Sequence, residues 1–370
     1  MDPRLAGGYL TIDLVALQNN YRLLSEKLQR AKCAAVVKAN AYGLGLERIA
    51  PALAAAGCRA FFVALPDEGI QLRRLLPEVD IYILGGLFQD CEDVYVHDRL
   101  APVLNSLEEI RSWSAQTRQA GPLPAILHLE TGICRLGLTQ ADITTLGQNP
   151  EWLDGLEIDY LMSHLASADD PQASQNLQQL DLFHTLRKQL PAGLQKTPVS
   201  FANSSGVFLG SDFQGDLARP GIALYGGNPT PHTRNPMQAV VEWQGKILQV
   251  HDVDSQMPVG YGASYQTKEK ARIATVAIGY ADGYFRCLGN KAECVIDNKR
   301  VPVVGRVSMD MITIDVTAIP REKSKRGDLV NLIGAGLTLD ELAAMAGTIP
   351  YEILTSLGHR CHRRYLEDGA

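Results

Sequence analysis

Along this chain, short unbroken apolar runs alternate with longer stretches in which apolar residues return every third or fourth position. The unbroken runs predict strands buried on both faces, and the spaced ones predict amphipathic helices. Residues 9–13 read as a first short strand. Asp13 then N-caps a helix reaching about Lys32, with Leu14, Leu17, Tyr21, Leu24 and Leu28 on one face. The run Ala34-Ala35-Val36-Val37 predicts a strand ending at Lys38, and a helix from about Leu46 to Ala56 is closed by Gly57. Further strands are expected at 60–64, 81–84, 101–104, 125–129, 158–164, 199–202 and 217–225. Helices are expected at 67–76, 107–119, 140–148 and 172–189. Strands alternating with helices imply parallel pairing, and about eight such units in roughly 190 residues are the size of a (β/α)8 barrel. An open doubly wound sheet fits less well, because no G-x-G-x-x-G follows the first strand.

The pattern changes at Asn228–Pro236, where Pro, Thr, Asn and His predominate, and this stretch reads as a linker. Beyond it the helical period largely disappears. Strands are expected at 240–250, 272–278, 293–296, 301–304, 311–316 and 329–332, with a short helix at 338–346 and a closing strand at 359–365. The expected fold is therefore α/β: an N-terminal (β/α)8 TIM-like barrel over residues 9–230, followed by a mainly β C-terminal domain over 236–370.

Length agrees with two domains, since 370 residues exceed a single ordinary core. The net charge of -6, without a long basic or acidic block, argues against nucleic acid or an anionic membrane as partner. No N-terminal apolar h-region and no run of about 18 apolar residues is present, so the expected location is the cytoplasm. The seven cysteines are scattered, odd in number and never spaced C-x-x-C, which argues against a disulfide framework or a zinc ribbon. His359, Cys361 and His362 lie among Arg360, Arg363 and Arg364, whose charge opposes a cation, and no metal is expected there.

In a barrel, chemistry gathers at the C-terminal ends of the strands. Lys38, Arg135, His164, Asn203, Ser204 and Arg219 all fall at such positions. A lysine ending an apolar strand can snorkel into water, or it can be desolvated into a nucleophile. Gly221 and Ile222 follow Arg219-Pro220 in a glycine-containing turn whose N–H groups suit a phosphate, and Ser204 and Tyr42 can add hydroxyl donors. A lysine amine beside a phosphate site points to a Schiff base with a phosphorylated aldehyde, pyridoxal phosphate being the commonest, and Arg219 is available to face its pyridine nitrogen. Aldolases combine barrel lysines with phosphates without a cofactor, so the residues alone leave both open. Tyr261 between Gly260 and Gly262 is either an aimed side chain or an interface plug.

The motifs Val36-Val37-Lys38-Ala39-Asn40-Ala41-Tyr42-Gly43, Arg219-Pro220-Gly221-Ile222, Gly260-Tyr261-Gly262, Gly279-Tyr280-Ala281-Asp282-Gly283 and Ser308-Met309-Asp310 together resemble the alanine racemases. These are pyridoxal-phosphate enzymes built from a (β/α)8 barrel and a β-domain, and the resemblance covers essentially the whole chain. It implies racemisation of L- and D-alanine by two-base proton transfer on a pyridoxal-phosphate aldimine, in a homodimer with shared sites. Lys38 would carry the cofactor and act on the D face, and Tyr261 of the partner subunit would act on the L face. Arg219 would face the pyridine nitrogen, supported by His164. Tyr42, Ser204, Gly221, Ile222 and Tyr351 would hold the phosphate. Arg135 would approach the substrate carboxylate, and Met309, Asp310 and Tyr280 would line the site from the other subunit.

One position departs from the family pattern. Many members carry a carbamylated lysine two residues before the acidic residue of the Asp-Thr-Gly-Met stretch; here the sequence is His128-Leu129-Glu130-Thr131-Gly132-Ile133-Cys134-Arg135. No carbamate can form on His128, so His128 itself, Glu130 or a bound chloride must steady Arg135. The alternatives are a racemase of broader specificity, a decarboxylase, and a non-catalytic pyridoxal-phosphate carrier. The Arg219-Pro220-Gly221 and Gly260-Tyr261-Gly262 motifs disfavour the decarboxylase. A carrier resembles a lone barrel, so the Tyr261 and Met309 segments disfavour it.

Overall fold

The computed structural model describes residues 2–367, which form two compact units. One comprises Gln18–Leu224 and Asn228–Pro236; the other comprises the chain up to Leu17, Tyr225–Gly227 and the chain from Met237 onward. Strand β1 (Gly8–Asp13) lies in the second of these.

The first unit is a barrel. Its strands are β2 (Lys32–Cys33), β3 (Ala35–Val36), β4 (Ala60–Val63), β5 (Asp80–Ile83), β6 (Ala101–Leu104), β7 (Leu123–His128), β8 (Leu156–Met162), β9 (Val199–Ser200) and β10 (Leu217–Ala218). From β3 to β9 they pair in chain order, all parallel. β10 pairs in parallel with β2. Just beyond it, the Arg219 N–H donates to the Ala202 carbonyl at 2.8 Å and the Val36 N–H to that of Pro220 at 3.0 Å. The last strand is thus bonded on both sides, and the sheet closes on itself. Phe61, Phe62 and Val63 are consecutive and fully buried, as are Ala125, Ile126 and Leu127. Burial of successive residues is what a parallel strand needs when the barrel interior lies on one face and helices on the other.

The helices fall close to their predicted places: Leu46–Ala55, Pro66–Leu75, Leu107–Ala120, Gln140–Gln148 and Ser174–Gln189. Ser106 and Thr139 cap two of them by accepting from the N–H groups of Glu109 and Asp142. A helix at Glu92–His97 was not anticipated; Tyr95 is its one buried residue, too few to make a periodic signal. Two predicted strands end earlier than expected in ways that matter for the site. The one placed at 158–164 ends at Met162, leaving His164 in the loop beyond it, and the one placed at 217–225 stops at Ala218. Pro220 has no N–H to continue the ladder, and Leu224 bonds back to Gly221 at 2.9 Å as a turn.

The β unit is built on a long strand, β11 (Val241–Val253), which pairs with β1 and with the later strand Leu329–Ile333 along its first half. Its second half pairs with Ala271–Val276, which pairs in turn with Ile312–Asp315. β1 lies between β11, antiparallel, and His362–Leu366, parallel. Residues 9–13 were expected with the barrel. Their partners lie far off in sequence, Leu10 opposite Trp243 for example, so local alternation could not reveal the sheet to which they belong. The expected linker is the stretch Asn228–Pro236. It groups with the barrel unit and folds on itself, Asn228 Oδ1 accepting from the Thr230 N–H at 2.9 Å and Asn228 Nδ2 donating to the Thr233 carbonyl at 3.0 Å. The predicted short helix is Leu339–Ala346, with Thr338 and Glu341 forming a capping box, and a second helix follows at Pro350–Thr355. Among the described residues no helix is long and apolar enough to cross a membrane.

Candidate active site

Lys38 begins a turn whose left-handed sense no sequence pattern announces. Ala39, Asn40, Ala41 and Tyr42 have φ of 54°, 54°, 52° and 55°, a left-handed helical turn without glycine until Gly43. Each such residue costs on the order of 1–2 kcal/mol, because Cβ crowds the following carbonyl. Backbone bonds close the turn, from Ala41 N–H to the Val37 carbonyl at 2.9 Å and from Gly43 N–H to that of Ala39 at 2.7 Å. Asn40 Oδ1 accepts from the Leu46 N–H at 2.8 Å and ties the turn to the next helix. The Lys38 amine is held below its ordinary pKa by burial first and by the charge of Arg135 second, with Glu68 opposing both.

Arg219 is 3% exposed. It donates to Ser200 Oγ at 2.5 Å and to the Ser163 carbonyl at 2.7 Å, and one of its nitrogens lies 3.5 Å from His164 Nδ1. All these partners are neutral, and burial pushes the guanidinium down to about 9. A buried cation without a counter-ion is costly unless the site supplies an acceptor. His164 is pushed down to about 3 by burial, then by the charges of Arg219 and Arg135, and Lys38 also acts on it. It is a neutral ring at physiological pH.

Four residues of the predicted cradle, Tyr42, Ser204, Gly221 and Ile222, lie together. Ser204 Oγ accepts from the N–H groups of Gly221 at 2.9 Å and Ala223 at 3.2 Å. The backbone of Gly221 lies against the Tyr42 hydroxyl so closely that a Cβ there would sit 2.1 Å from that oxygen. Glycine is required at 221 by this approach rather than by its φ. Ile222 follows, 2% exposed, and Asn203 caps the loop, accepting from the Gly206 N–H at 2.9 Å.

Arg135 is exposed, yet its charge reaches Lys38, His128 and His164. The loop before it is clamped by Glu130, whose Oε1 accepts from the N–H groups of Gly132 and, at 2.9 Å, Ile133. Burial acts to raise the Glu130 carboxyl, but the backbone N–H groups of Gly132, Cys134, Ile133 and Arg135 outweigh it and hold it below its usual value. Asn105 donates to the Val103 carbonyl at 2.7 Å, which turns its Oδ1 toward His128 Nδ1 at 2.8 Å. His128 therefore carries its proton on Nδ1, and Nε2 is a buried lone pair without a protein partner, like Glu130 Oε2.

Burial, with Arg219 and Arg135 adding to it and Glu130 opposing, pushes His128 to about 3 from 6.5. Between these values the unfolded chain takes up a proton that the folded chain refuses. The stability tied to His128 is therefore complete above pH 6.5 and is lost as pH falls toward 3. His128→Gln should reduce the stability lost between pH 7 and pH 5 by about 2 kcal/mol, read by urea unfolding. An unchanged acid limb would show that His128 titrates normally in the fold.

The β unit holds the remaining predicted residues. Tyr261 is 73% exposed on a turn with Gly260 and Gly262 at positive φ. That turn rests on Gly305-Arg306, where a Cβ on Gly260 would lie 3.4 Å from the Arg306 nitrogen. Tyr280 N–H and Ala281 N–H donate to the Ser308 and Met309 carbonyls, each at 3.0 Å, so these two motifs are docked on each other. Tyr280, Met309 and Met311 are also exposed, and Tyr351 lies exposed on the helix Pro350–Thr355. Asp310 is held at 2.7 Å by Arg360, which also grips Asp282 with two bonds of 2.8 Å. Around His359, Cys361 and His362, Cys361 Sγ accepts from Trp243 Nε1 at 3.2 Å, and no three metal-ligating side chains gather among the described residues.

The chain matches two family models, "Alanine racemase, N-terminal domain" over residues 12–229 and "Alanine racemase, C-terminal domain" over residues 240–365. It belongs to the alanine racemase family. An alanine racemase from Rhodospirillum rubrum is 47% identical over 363 residues, 97% of this chain and 96% of that one. A catabolic alanine racemase from Agrobacterium fabrum is 45% identical over 98% of this chain and 93% of that one. The crystal structure of alanine racemase from Bartonella henselae with covalently bound pyridoxal phosphate superposes with a TM-score of 0.93 at 43% identity, covering 98% of this chain and all of that one. The biosynthetic alanine racemase of Pseudomonas aeruginosa gives 0.91 at 32% identity, with the same coverage.

Several residues that shape this alanine racemase fold around the site escaped sequence reasoning. Gln179 is fully buried; its Oε1 accepts from the Ala166 N–H, and its Nε2 donates to the His164 carbonyl at 2.9 Å and to Thr131 at 3.2 Å. It joins the loop after β7 to the loop after β8. Its signal was a polar residue on the inner face of the helix 172–189, where an apolar one was due. Asn105, Glu68 and Arg360 gave no such signal, because each lies at an element end where polar residues are ordinary.

Proposed function

We propose that this chain interconverts L- and D-alanine with pyridoxal phosphate bound to Lys38. The observation that carries the reading is the meeting, at one end of the barrel, of Lys38, the buried Arg219 and the Tyr42–Ser204–Gly221 cradle. These residues fit the cofactor. Among the described residues Arg219 bonds to no carboxylate and can donate to a ring nitrogen, and Gly221 leaves room that any side chain would fill. The cofactor, when bound, acidifies the substrate Cα–H by delocalising charge. Tyr42, Ser204, Gly221, Ile222 and, as the resemblance implies, Tyr351 would hold its phosphate, and neutral His164 accepts from one Arg219 nitrogen at 3.5 Å and so supports it.

Racemisation needs one group to take a proton from one face of Cα and another to deliver a proton to the opposite face. Lys38, its amine depressed by burial and by Arg135, serves the D face. Tyr261 serves the L face of the other subunit's site in a homodimer, alongside Tyr280, Met309 and Asp310. Supporting this assembly, four large apolar or aromatic side chains of adjoining segments, Tyr261, Tyr280, Met309 and Met311, are exposed in the single chain. Arg135 binds the substrate carboxylate. Glu130 steadies it through the backbone, and His128 Nε2 offers a neutral acceptor where relatives carry a carbamate.

The test is exchange in D₂O. Incubated with pyridoxal phosphate and L-alanine, the protein should abolish optical rotation while incorporating deuterium at Cα. Carbon dioxide release would instead indicate a decarboxylase, and an absence of both rotation loss and exchange would indicate a carrier. Faster loss of rotation with larger amino acids would favour the broader-specificity racemase.

A further inference from the structure

Glu68 has no part in the proposed chemistry, and its bonds are unusual. It lies in the first turn of the helix Pro66–Leu75, where Oε2 accepts from the N–H groups of Ala64 at 2.8 Å and Leu65 at 3.2 Å. That half of its role is ordinary capping. Its other oxygen, Oε1, accepts from the N–H of Ala39 at 2.6 Å. Ala39 is the residue after Lys38 and the first of the left-handed turn. The turn's backbone bonds run between its own residues and their immediate neighbours, whereas the Ala39 N–H is tied to a different strand–helix unit of the barrel.

We propose that Glu68 is a positioning residue for Lys38: by holding the Ala39 N–H it fixes the left-handed turn, and with it the direction of the lysine side chain and the seat of Tyr42 against Gly221. One carboxylate thereby couples the end of β4 to the turn after β3. The bond is charge-assisted, and a single side chain satisfies donors from both elements. Four successive left-handed residues without glycine would otherwise relax toward ordinary backbone, swinging the Lys38 side chain with them.

Glu68 acts on Lys38 in a second way. The charged groups bearing on the amine are Arg135, which disfavours its protonation, and Glu68, which favours it, with His164 nearby and neutral. Glu68→Gln keeps the shape, removes the charge, and sets an NH₂ against one of the N–H donors the carboxylate served.

The inference rests on Lys38 being the reactive lysine of the proposed function, and two readouts separate the claims. The first is competitive acetylation of the cofactor-free protein against pH, with the Lys38 peptide quantified by mass spectrometry. The midpoint for Lys38 should move to lower pH in Glu68→Gln and stay in place in Asp67→Asn, which loses a charge from the same helix turn without touching Ala39. The second is pyridoxal phosphate affinity, titrated by absorbance. It should weaken about tenfold in Glu68→Gln. Adding Ala39→Gly should recover part of the loss, because glycine adopts the left-handed conformation without strain. If Glu68→Gln lowers Tm but leaves both the Lys38 midpoint and the affinity at wild-type values, Glu68 is only a helix cap and the proposal fails. It fails equally if Ala39→Gly recovers nothing. If the wild-type protein does not bind the cofactor, the function proposal fails instead, and the acetylation midpoint still decides the role of Glu68.

Discussion

Lys38→Ala should abolish racemisation in both directions, by on the order of 10⁴-fold or more, and should leave no lysine-linked cofactor after borohydride reduction. That loss corresponds to about 5.5 kcal/mol of barrier, more than a lost contact alone supplies. The reason lies in what surrounds the amine. Burial and Arg135 both favour its neutral form, so Lys38 can take up a carbonyl and accept a proton near neutral pH, where a free lysine is almost wholly charged. The same surroundings make the side chain a liability for folding, since a desolvated amine beside a guanidinium gains little. The variant should therefore unfold at a Tm equal to or above that of the wild type. A Tm well below it would mean that Lys38 holds the turn together and that lost activity reports lost structure.

Tyr261→Phe should give the second large effect, with a different signature. Racemisation should fall by roughly 10³–10⁴-fold in both directions, because each direction needs both bases. Deuterium wash-in at Cα should persist from D-alanine, through Lys38, and fail from L-alanine. Equal loss from both antipodes would show that Tyr261 is not a face-specific base. Mixing the two variants tests the shared site. In a freely exchanging equal mixture half the dimers are hybrids, and one of the two sites in each hybrid holds both Lys38 and Tyr261. About a quarter of wild-type activity should return. No recovery after verified subunit exchange would assign Tyr261 to its own chain's site.

The barrel was legible because its strands are buried on both faces. Runs such as Phe61-Phe62-Val63 and Ala125-Ile126-Leu127 carry that fact in the sequence. Boundaries failed where a strand's end depends on its neighbour, as at Ala218, or where an element is short, as at Glu92–His97. The membership of residues 9–13 failed for a related reason. Alternation states that a face is buried but not which sheet buries it, and β1 finds its partners more than 200 residues away.

Motifs named the candidate site residues one by one, and several lie at an element end or turn where the backbone is constrained: Gly221 by the Tyr42 oxygen, Gly262 by its φ, Lys38 by the close of an apolar strand. What steadies Arg135 was left open by the sequence among three candidates. The structure shows Glu130 clamping the loop backbone before Arg135, while His128 bonds to Asn105, a residue with no sequence signal of its own.

The sequence by itself determined the class of fold and the family, and it named Lys38 and the turn at Gly221 as candidates, because these follow from local periodicity and from residue types at fixed spacing. Only the tertiary structure decided how those residues are aimed. The left-handed turn after Lys38 contains two alanines, an asparagine and a tyrosine, none of which prefers positive φ strongly enough to announce it. It exists because Glu68, Asn40 and the strand pairing around it supply bonds that offset the strain. The neutral state of His128 and the uncompensated charge of Arg219 likewise arise from burial, a property of the assembled barrel rather than of any stretch of chain.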